Sequence, residues 1–297
     1  MWPFNDKPRR LGLALGGGSA RGIAHIGVLK VLSAEKIRPS AIAGTSMGAI
    51  VGAFAAAGYS AEEMESLARD MEVRDIVSFG DLALSRTAIL NGEKVEQWLA
   101  EHLPETFEEL EIPFACVSVD LSTGTRVVHR SGDLRMAVRA SISIPVVFMP
   151  VSRGSEVLVD GGLLEPVPVP TLRELQASDV RVAVTVGGLG ALRPGYGLPE
   201  EGAQREGIGA LFASLHEKDG ERTPKVPGRV QIANASVELM QREIAGSALK
   251  HASIVIAPAV EAYQGWEFPE AETLISLGEE AARKALPELR RRLRLPD

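Results

Sequence analysis

The stretch Ala41-Ile-Ala-Gly-Thr-Ser-Met-Gly-Ala-Ile-Val-Gly52 constrains this chain more than any other. An apolar run ends at Gly44-Thr45-Ser46-Met47-Gly48, and small residues suited to a helix, Ala49 to Ala57, follow at once. The order is strand, tight turn, helix. In so sharp a turn the central residue sits in a strained backbone conformation, and side chains two positions to either side would strike the crossing backbone; Gly44 and Gly48 remove them. Ser46 is thereby presented at the carboxyl edge of a sheet, with the N–H groups of a helix N-terminus beside its oxygen. With 30 glycines in 297 residues, a bare Gly-x-Ser-x-Gly arises by chance on the order of 0.1 to 0.2 times. The flanking strand and helix raise it well above that. The plainer reading is that Gly44, Gly48 and Gly52 only let a helix pack closely.

Upstream, Leu11 to Leu15 reads as a short buried parallel strand and Arg21 to Lys36 as a helix with Ile23, Ile26, Leu29, Val31 and Leu32 inward. Between them lies Gly16-Gly-Gly-Ser-Ala-Arg-Gly22, where successive amides are free to converge on an anion. A dinucleotide fingerprint wants glycine where Arg21 stands and an acidic residue about twenty positions on. A phosphate loop wants Gly-Lys-Ser/Thr. Neither is present. A transient oxyanion needs only the amides of Gly16, Gly17 and Gly18 and a nearby nucleophile, which Ser46 supplies from the next strand end, about 5 Å away by sheet geometry. Arg21 reads equally as support for this loop, as attraction for an anionic substrate, or as a solvated first-turn residue. His25 reads as a packed histidine rather than a base.

A third strand, Glu156-Val-Leu-Val-Asp160, delivers a carboxylate into Gly161-Gly162, where little bulk surrounds it. Alone, Asp-Gly reads as a hairpin turn. Elsewhere Ser60-Ala-Glu-Glu63 has capping-box form and predicts a helix through Arg69. Gly92 to His102 and Asp133 to Ala140 read as helices, and Ile112 to Asp120 and Thr125 to His129 as paired strands about Ser122-Thr-Gly124. Pro166, Pro168 and Pro170 predict an extended segment before a helix over Thr171 to Gln176. Val180 to Val186 and His251 to Ala257 read as strands, Val230 to Leu249 and Ala271 to Leu295 as helices. Ser78 to Leu90 reads as either a lid or acyl-chain wall or a surface connection, and Gly187 to Gly228 as a mobile insertion or cover.

Strand and helix runs alternate without a linker, so one α/β domain is expected over 1–297, with residues 1–9 as a tail. A net charge of −7 argues against broad nucleic-acid binding. The single cysteine, Cys116, excludes an internal disulfide and reads as a buried strand thiol. The N-terminal residues show no secretory pattern and the longest apolar run is too short to span a bilayer, so a cytoplasmic protein is expected. Leu289-Arg-Arg-Arg-Leu-Arg-Leu295 fits cations at a helix C-terminus, with peripheral contact to an anionic membrane as the alternative.

The three pieces Gly16–Gly22, Gly44–Gly48 and Asp160-Gly-Gly162, in that order, resemble the patatin-like phospholipase family, especially short bacterial members related to the catalytic domain of neuropathy target esterase. The block Ala140-Ser-Ile-Ser-Ile-Pro-Val-Val-Phe148 shares the resemblance, which runs over roughly 10–170. It implies a three-layer sandwich with a mostly parallel central sheet flanked by helices, and hydrolysis of lipid acyl esters without metal or cofactor. It implies Ser46 as nucleophile, Asp160 as its base and the Gly17 and Gly18 amides as oxyanion donors. Where the family commonly has asparagine before the proline, this chain has Glu165. A Ser-Asp-His triad would call on His216 or His251. Acyl transfer or thioester cleavage on the same elbow, and a non-catalytic regulatory protein, are the competing functions.

Overall fold

The computed structural model describes residues 8–74, 92–145, 147–187, 229–263 and 271–296. Among the described residues eight strands form one mixed sheet: β1 (Leu11–Leu15), β2 (Pro39–Thr45), β3 (Phe114–Asp120), β4 (Thr125–His129), β5 (Val151–Arg153), β6 (Glu156–Asp160), β7 (Val180–Val184) and β8 (Ile254–Ile256), in the order β5-β6-β3-β2-β1-β7-β8 with β4 also pairing β3. The run β3-β2-β1-β7-β8 is parallel throughout; β4, β5 and β6 are antiparallel additions at one side. The helices are α1 (Ala24–Ala34), α2 (Met47–Ala56), α3 (Ala61–Arg74), α4 (Glu93–His102), α5 (Leu134–Ser141), α6 (Val169–Glu174), α7 (Arg229–Leu249) and α8 (Ala271–Leu293).

The alternation of side chains along the strands sets the layers. Leu11, Leu13 and Leu15 of β1, Ile42 of β2 and Val182 and Val184 of β7 face a large core with α1, α2, α3 and α8. The intervening Ala14, Ala41, Ala43 and Ala183 face a smaller core with Val169 and Leu172 of α6 and Ala245 and Leu249 of α7. Because strands alternate their faces every residue, a leucine face and an alanine face separate cleanly, and the alanines let α6 and α7 approach. The three-layer arrangement is the expected one.

Local differences have local causes. The expected helix from Arg21 begins as a 3-10 turn over Ser19–Ile23 and becomes α1 only at Ala24. Pro170 is not in an extended segment: it lies in the first turn of α6, which starts at Val169, where a missing N–H breaks no intrahelical bond. The strands at Val180 and Ile254 stop short of the expected Val186 and Ala257. The Ser60/Glu63 capping box forms, the Ser60 N–H donating to Glu63 Oε2 at 2.8 Å and the Glu63 N–H to Ser60 Oγ at 3.2 Å. The segments read as a lid wall, Ser78 to Leu90, and as a cover, 188–228, lie outside the described residues. Among the described residues no helix is long and apolar enough to cross a membrane.

Candidate active site

Ser46 follows β2 and N-caps α2 at φ 55°, ψ −126°. That positive φ is the strain expected of a sharp strand-to-helix turn. The flanking glycines are there for contact: a Cβ on Gly44 would lie 2.3 Å from the Gly48 carbonyl oxygen, and one on Gly48 2.1 Å from that of Leu15. Ser46 is 6% exposed. Its N–H donates to Ser141 Oγ at 3.1 Å, and its carbonyl accepts from the Ala49 and Ile50 amides of α2.

Asp160 reaches the same place by register. β6 runs antiparallel to β3 and pairs Asp160 with Ser118, while β2 runs parallel to β3 and pairs Thr45 with Val117. One residue further along β2, Ser46 falls at the level of Ser118. The carboxylate therefore arrives from the neighbouring side of β3 at the height of the elbow. Its strand points against the parallel strands, which the apolar pattern of Glu156–Asp160 did not reveal. The Asp160 N–H donates to Ser143 O at 2.9 Å, and Oδ1 accepts from the Gly162 N–H at 2.7 Å in a 3-10 turn over Gly161–Leu163 rather than in a hairpin. Burial pushes the Asp160 carboxyl up to about 6, against the opposing pull of the Ser46 side chain and the Gly162 amide. The Ser46 hydroxyl is thus near enough to favour the carboxylate, yet among the described residues Oδ2 has no hydrogen-bond partner. The two side chains are adjacent without a closed hydrogen bond.

The glycine loop lies directly on the serine, a Cβ on Gly17 falling 3.2 Å from Ser46 Cβ. Its amides are not equivalent. Gly16 N–H donates to Val184 O and Gly17 N–H to Pro166 O, both at 2.9 Å. Those two amides, expected to face an oxyanion, are committed to the fold; among the described residues, Gly18 N–H has no acceptor. Arg21 holds the loop, its Nε donating to Gly18 O at 3.4 Å and its Nη2 pairing with Glu238 at 3.1 Å. His25 is packed: fully buried, it donates from Nε2 to Gly16 O at 2.7 Å, and burial lowers its pKa to about 4, so it stays neutral.

Among the described residues no histidine hydrogen-bonds to Ser46 or Asp160. His129 bonds Ser118 and His102 bonds Trp98 O. His251 is exposed before β8, at the amino end of the parallel strands and so at the edge opposite the elbow, while His216 lies outside the described residues. Cys116 is a buried free thiol whose pKa burial raises.

Glu165 is a buried knot. Its carboxylate accepts from Arg126 Nη1 at 2.6 Å, Thr171 N–H at 2.8 Å and Thr171 Oγ1 at 3.0 Å, and its carbonyl accepts from Thr45 Oγ1 at 2.9 Å. It ties the turn after Asp160 to the residue before Ser46. Sequence reasoning missed the parts played by Ser141 and Ser143: the last residue of α5 and the turn just after it hold the backbone of Ser46 and of Asp160. The signal was present in the Ala140–Phe148 block, which carried no role until its contacts were seen.

A mixed sheet with a strained serine elbow, a glycine loop and a carboxylate at one level defines an α/β protein of hydrolase type. The patatin-like phospholipase family model matches residues 13–173, more than half of the chain, and the chain belongs to that family. An uncharacterized NTE family protein of Mycobacterium tuberculosis is 39% identical over 180 residues, 60% of this chain and 49% of the relative. The matched part is thus about half the length of that relative. The lysophospholipase nte1 of Emericella nidulans is 32% identical over 194 residues, 64% of this chain and 13% of that protein. VipD from Legionella pneumophila aligns with 95% of this chain and 77% of its own at 13% identity, with a TM-score of 0.41.

Proposed function

We propose that this chain is a serine hydrolase of lipid acyl esters working through Ser46 and Asp160. The observation that carries the reading is the meeting of a strained, nearly buried serine with a buried carboxylate, one oxygen of which has no hydrogen-bond partner among the described residues. As the Ser46 oxygen attacks the ester carbonyl carbon, Oδ2 of Asp160 takes the hydroxyl proton. The carbonyl oxygen becomes an oxyanion at the Gly18 and Met47 amides, the second being the N–H that follows the nucleophile. Collapse breaks the ester bond, and the proton on Asp160 passes to the departing alcohol. Water then attacks the acyl-serine, losing its proton to Asp160, and the fatty acid leaves as Ser46 regains a proton. Serine needs such a base because its free hydroxyl is a weak nucleophile; a carboxyl raised to about 6 is a better proton acceptor than an ordinary aspartate and remains ionised at neutral pH.

An apolar cleft lined among others by Ile23, Met47, Ile50, Phe54, Met64 and Trp98 starts at the residue after Ser46, and its lining supports a lipid acyl chain as the bound group. Hydrolysis of p-nitrophenyl esters of increasing chain length, with fluorophosphonate labelling of the parent, Ser46→Ala and Asp160→Asn, tests the reading. Label on Ser46 and a rise in kcat/KM with chain length are expected. Labelling that survives Ser46→Ala, or undiminished hydrolysis by Asp160→Asn, would defeat it.

A further inference from the structure

Near the end of α5, Arg139 carries a charge into the core: the residue is 2% exposed, and taking a guanidinium out of water is strongly unfavourable unless its donors are satisfied. Its ion pairing is thin. The Glu96 carboxylate of α4, itself exposed, stands 3.4 Å from Nε, and Nε makes no hydrogen bond among the described residues. Burial works against the charged form, and Glu96 only partly offsets it. An apolar side chain of similar volume would pack there without that penalty. The guanidinium calls for another reason, and its remaining contacts supply one.

Those contacts fall on the two ends of one turn. Nη1 donates to Ser143 Oγ at 2.6 Å and Nη2 to Met149 O at 3.2 Å, and the guanidinium carbon lies 5.4 Å from the centre of the Phe148 ring. Ser143 Oγ donates back to Arg139 O at 2.9 Å, so this serine is tied to both the head and the main chain of the arginine. Within the turn the Val147 and Phe148 amides donate to Ile144 O. Gly92, at the N-cap of α4, lies against the guanidinium, where any Cβ would overlap it. Both ends of the turn lead to Asp160. Ser143 O accepts the Asp160 N–H at 2.9 Å, and Met149 runs into β5, whose Val151 pairs with Leu158 of the strand that carries Asp160. Arg139 itself makes no hydrogen bond to Ser46 or Asp160 among the described residues.

We propose that Arg139 is a positioning residue for the reaction, its forked guanidinium clamping Ser143 to Met149 so that the Asp160 carboxylate stands at the height of Ser46. Arginine suits the task because its planar fork offers separate donors in fixed directions, which a lysine ammonium does not. Placement matters because a shift of about 1 Å at a reacting group lowers a rate by about 100-fold. The inference rests on Asp160 as the base of Ser46 and adds the residue that sets where that base stands.

The test is a cycle of substitutions on the full chain, read as the rate of fluorophosphonate labelling of Ser46 per labelled molecule. Arg139→Met is expected to slow labelling about tenfold or more in the parent and by less than about twofold in Asp160→Asn, because a residue that acts by placing the base has little left to place once the base is gone. Arg139→Lys should restore part of the loss. A brace that merely held the fold together would slow both backgrounds alike, and that result, or full-rate labelling by Arg139→Met in the parent, would overturn the proposal. Ser143→Ala is the second variant, milder and independent of how well Arg139→Met folds: it removes the acceptor of Nη1 and keeps the carbonyl that holds Asp160. It should slow labelling about threefold in the parent and not at all in Asp160→Asn; an equal effect in both would likewise overturn the proposal. Asp160→Asn alone reports on the base. Unchanged labelling there would fail the reading of Asp160 as base, whereas slow labelling by Asp160→Asn beside full-rate labelling by Arg139→Met would fail this inference only.

Discussion

Ser46 and Asp160 are both held in states the fold does not favour, one through its backbone and the other through burial of its carboxyl. A non-glycine residue at φ 55°, ψ −126° carries roughly 1–3 kcal/mol of backbone strain. For Asp160 the direction of the pH effect follows from its raised pKa. Between about 4, the ordinary aspartate value, and about 6, the folded chain holds a proton that the unfolded chain has lost, so stability falls as pH rises through that window. Above it the ionised carboxylate destabilises the fold by about 3 kcal/mol, from about 1.36 kcal/mol per unit. Asp160→Asn is accordingly expected to melt several degrees higher than the parent at pH 8 and to lose that advantage near pH 4, read by scanning calorimetry. Equal melting at pH 8 would contradict burial as the source of the shift.

The elements add a second layer, since the segment ending α5 holds both sides of the site. Ser141 Oγ accepts from the Ser46 N–H, whereas Asp160 is held by the main-chain oxygen of Ser143, which no side-chain change removes. Ser141→Ala should therefore lower kcat about tenfold or more with KM little moved. Ser143→Ala should spare the bond to Asp160 and act only through Arg139, whose Nη1 donates to Ser143 Oγ at 2.6 Å. Steady-state kinetics on a soluble ester separates the two; equal losses in both would contradict the assignment. The elbow itself was legible in the sequence, because glycine on either side of a serine between a strand and a helix has few other uses. The direction of β6 was not, since an apolar run reads the same both ways. The spent amides of Gly16 and Gly17 were also hidden: a glycine run reveals donors, but their acceptors, Val184 O and Pro166 O, come from distant segments. Glu165 stood out only as a departure from the family pattern, and its partners Arg126 and Thr171 carried no sequence signal.

Across the molecule, two crossings lock the layers that carry the site. α1 and α8 meet through Gly27 and Gly278, where added Cβ atoms would fall 2.0 Å from Ile275 O and 1.9 Å from Ala24 O. Both obstacles are backbone, so neither can turn aside. Gly278→Ala is expected to force the helices apart and lower stability by about 1–3 kcal/mol or more, measured by urea unfolding; an unperturbed midpoint would contradict that packing. On the other side of the sheet, Arg126 bridges β4 to Glu165 and Glu174. Arg126→Ala leaves the buried Glu165 carboxylate without its cation and should destabilise by about 1–3 kcal/mol, while Glu165→Gln should partly rescue the loss. Both crossings serve the same end, since the register of β2, β3 and β6 brings Ser46 level with Asp160 only while the layers stay in place.

The pH dependence of fluorophosphonate labelling at Ser46, compared between the parent and Asp160→Asn, tests the pairing most directly. Labelling should rise with pH through a single ionisation near 6 and level off above it, because the base works only when deprotonated. In Asp160→Asn it should slow about 10³-fold and lose that ionisation. A rate and profile unchanged by the substitution would show that some other group takes the serine proton.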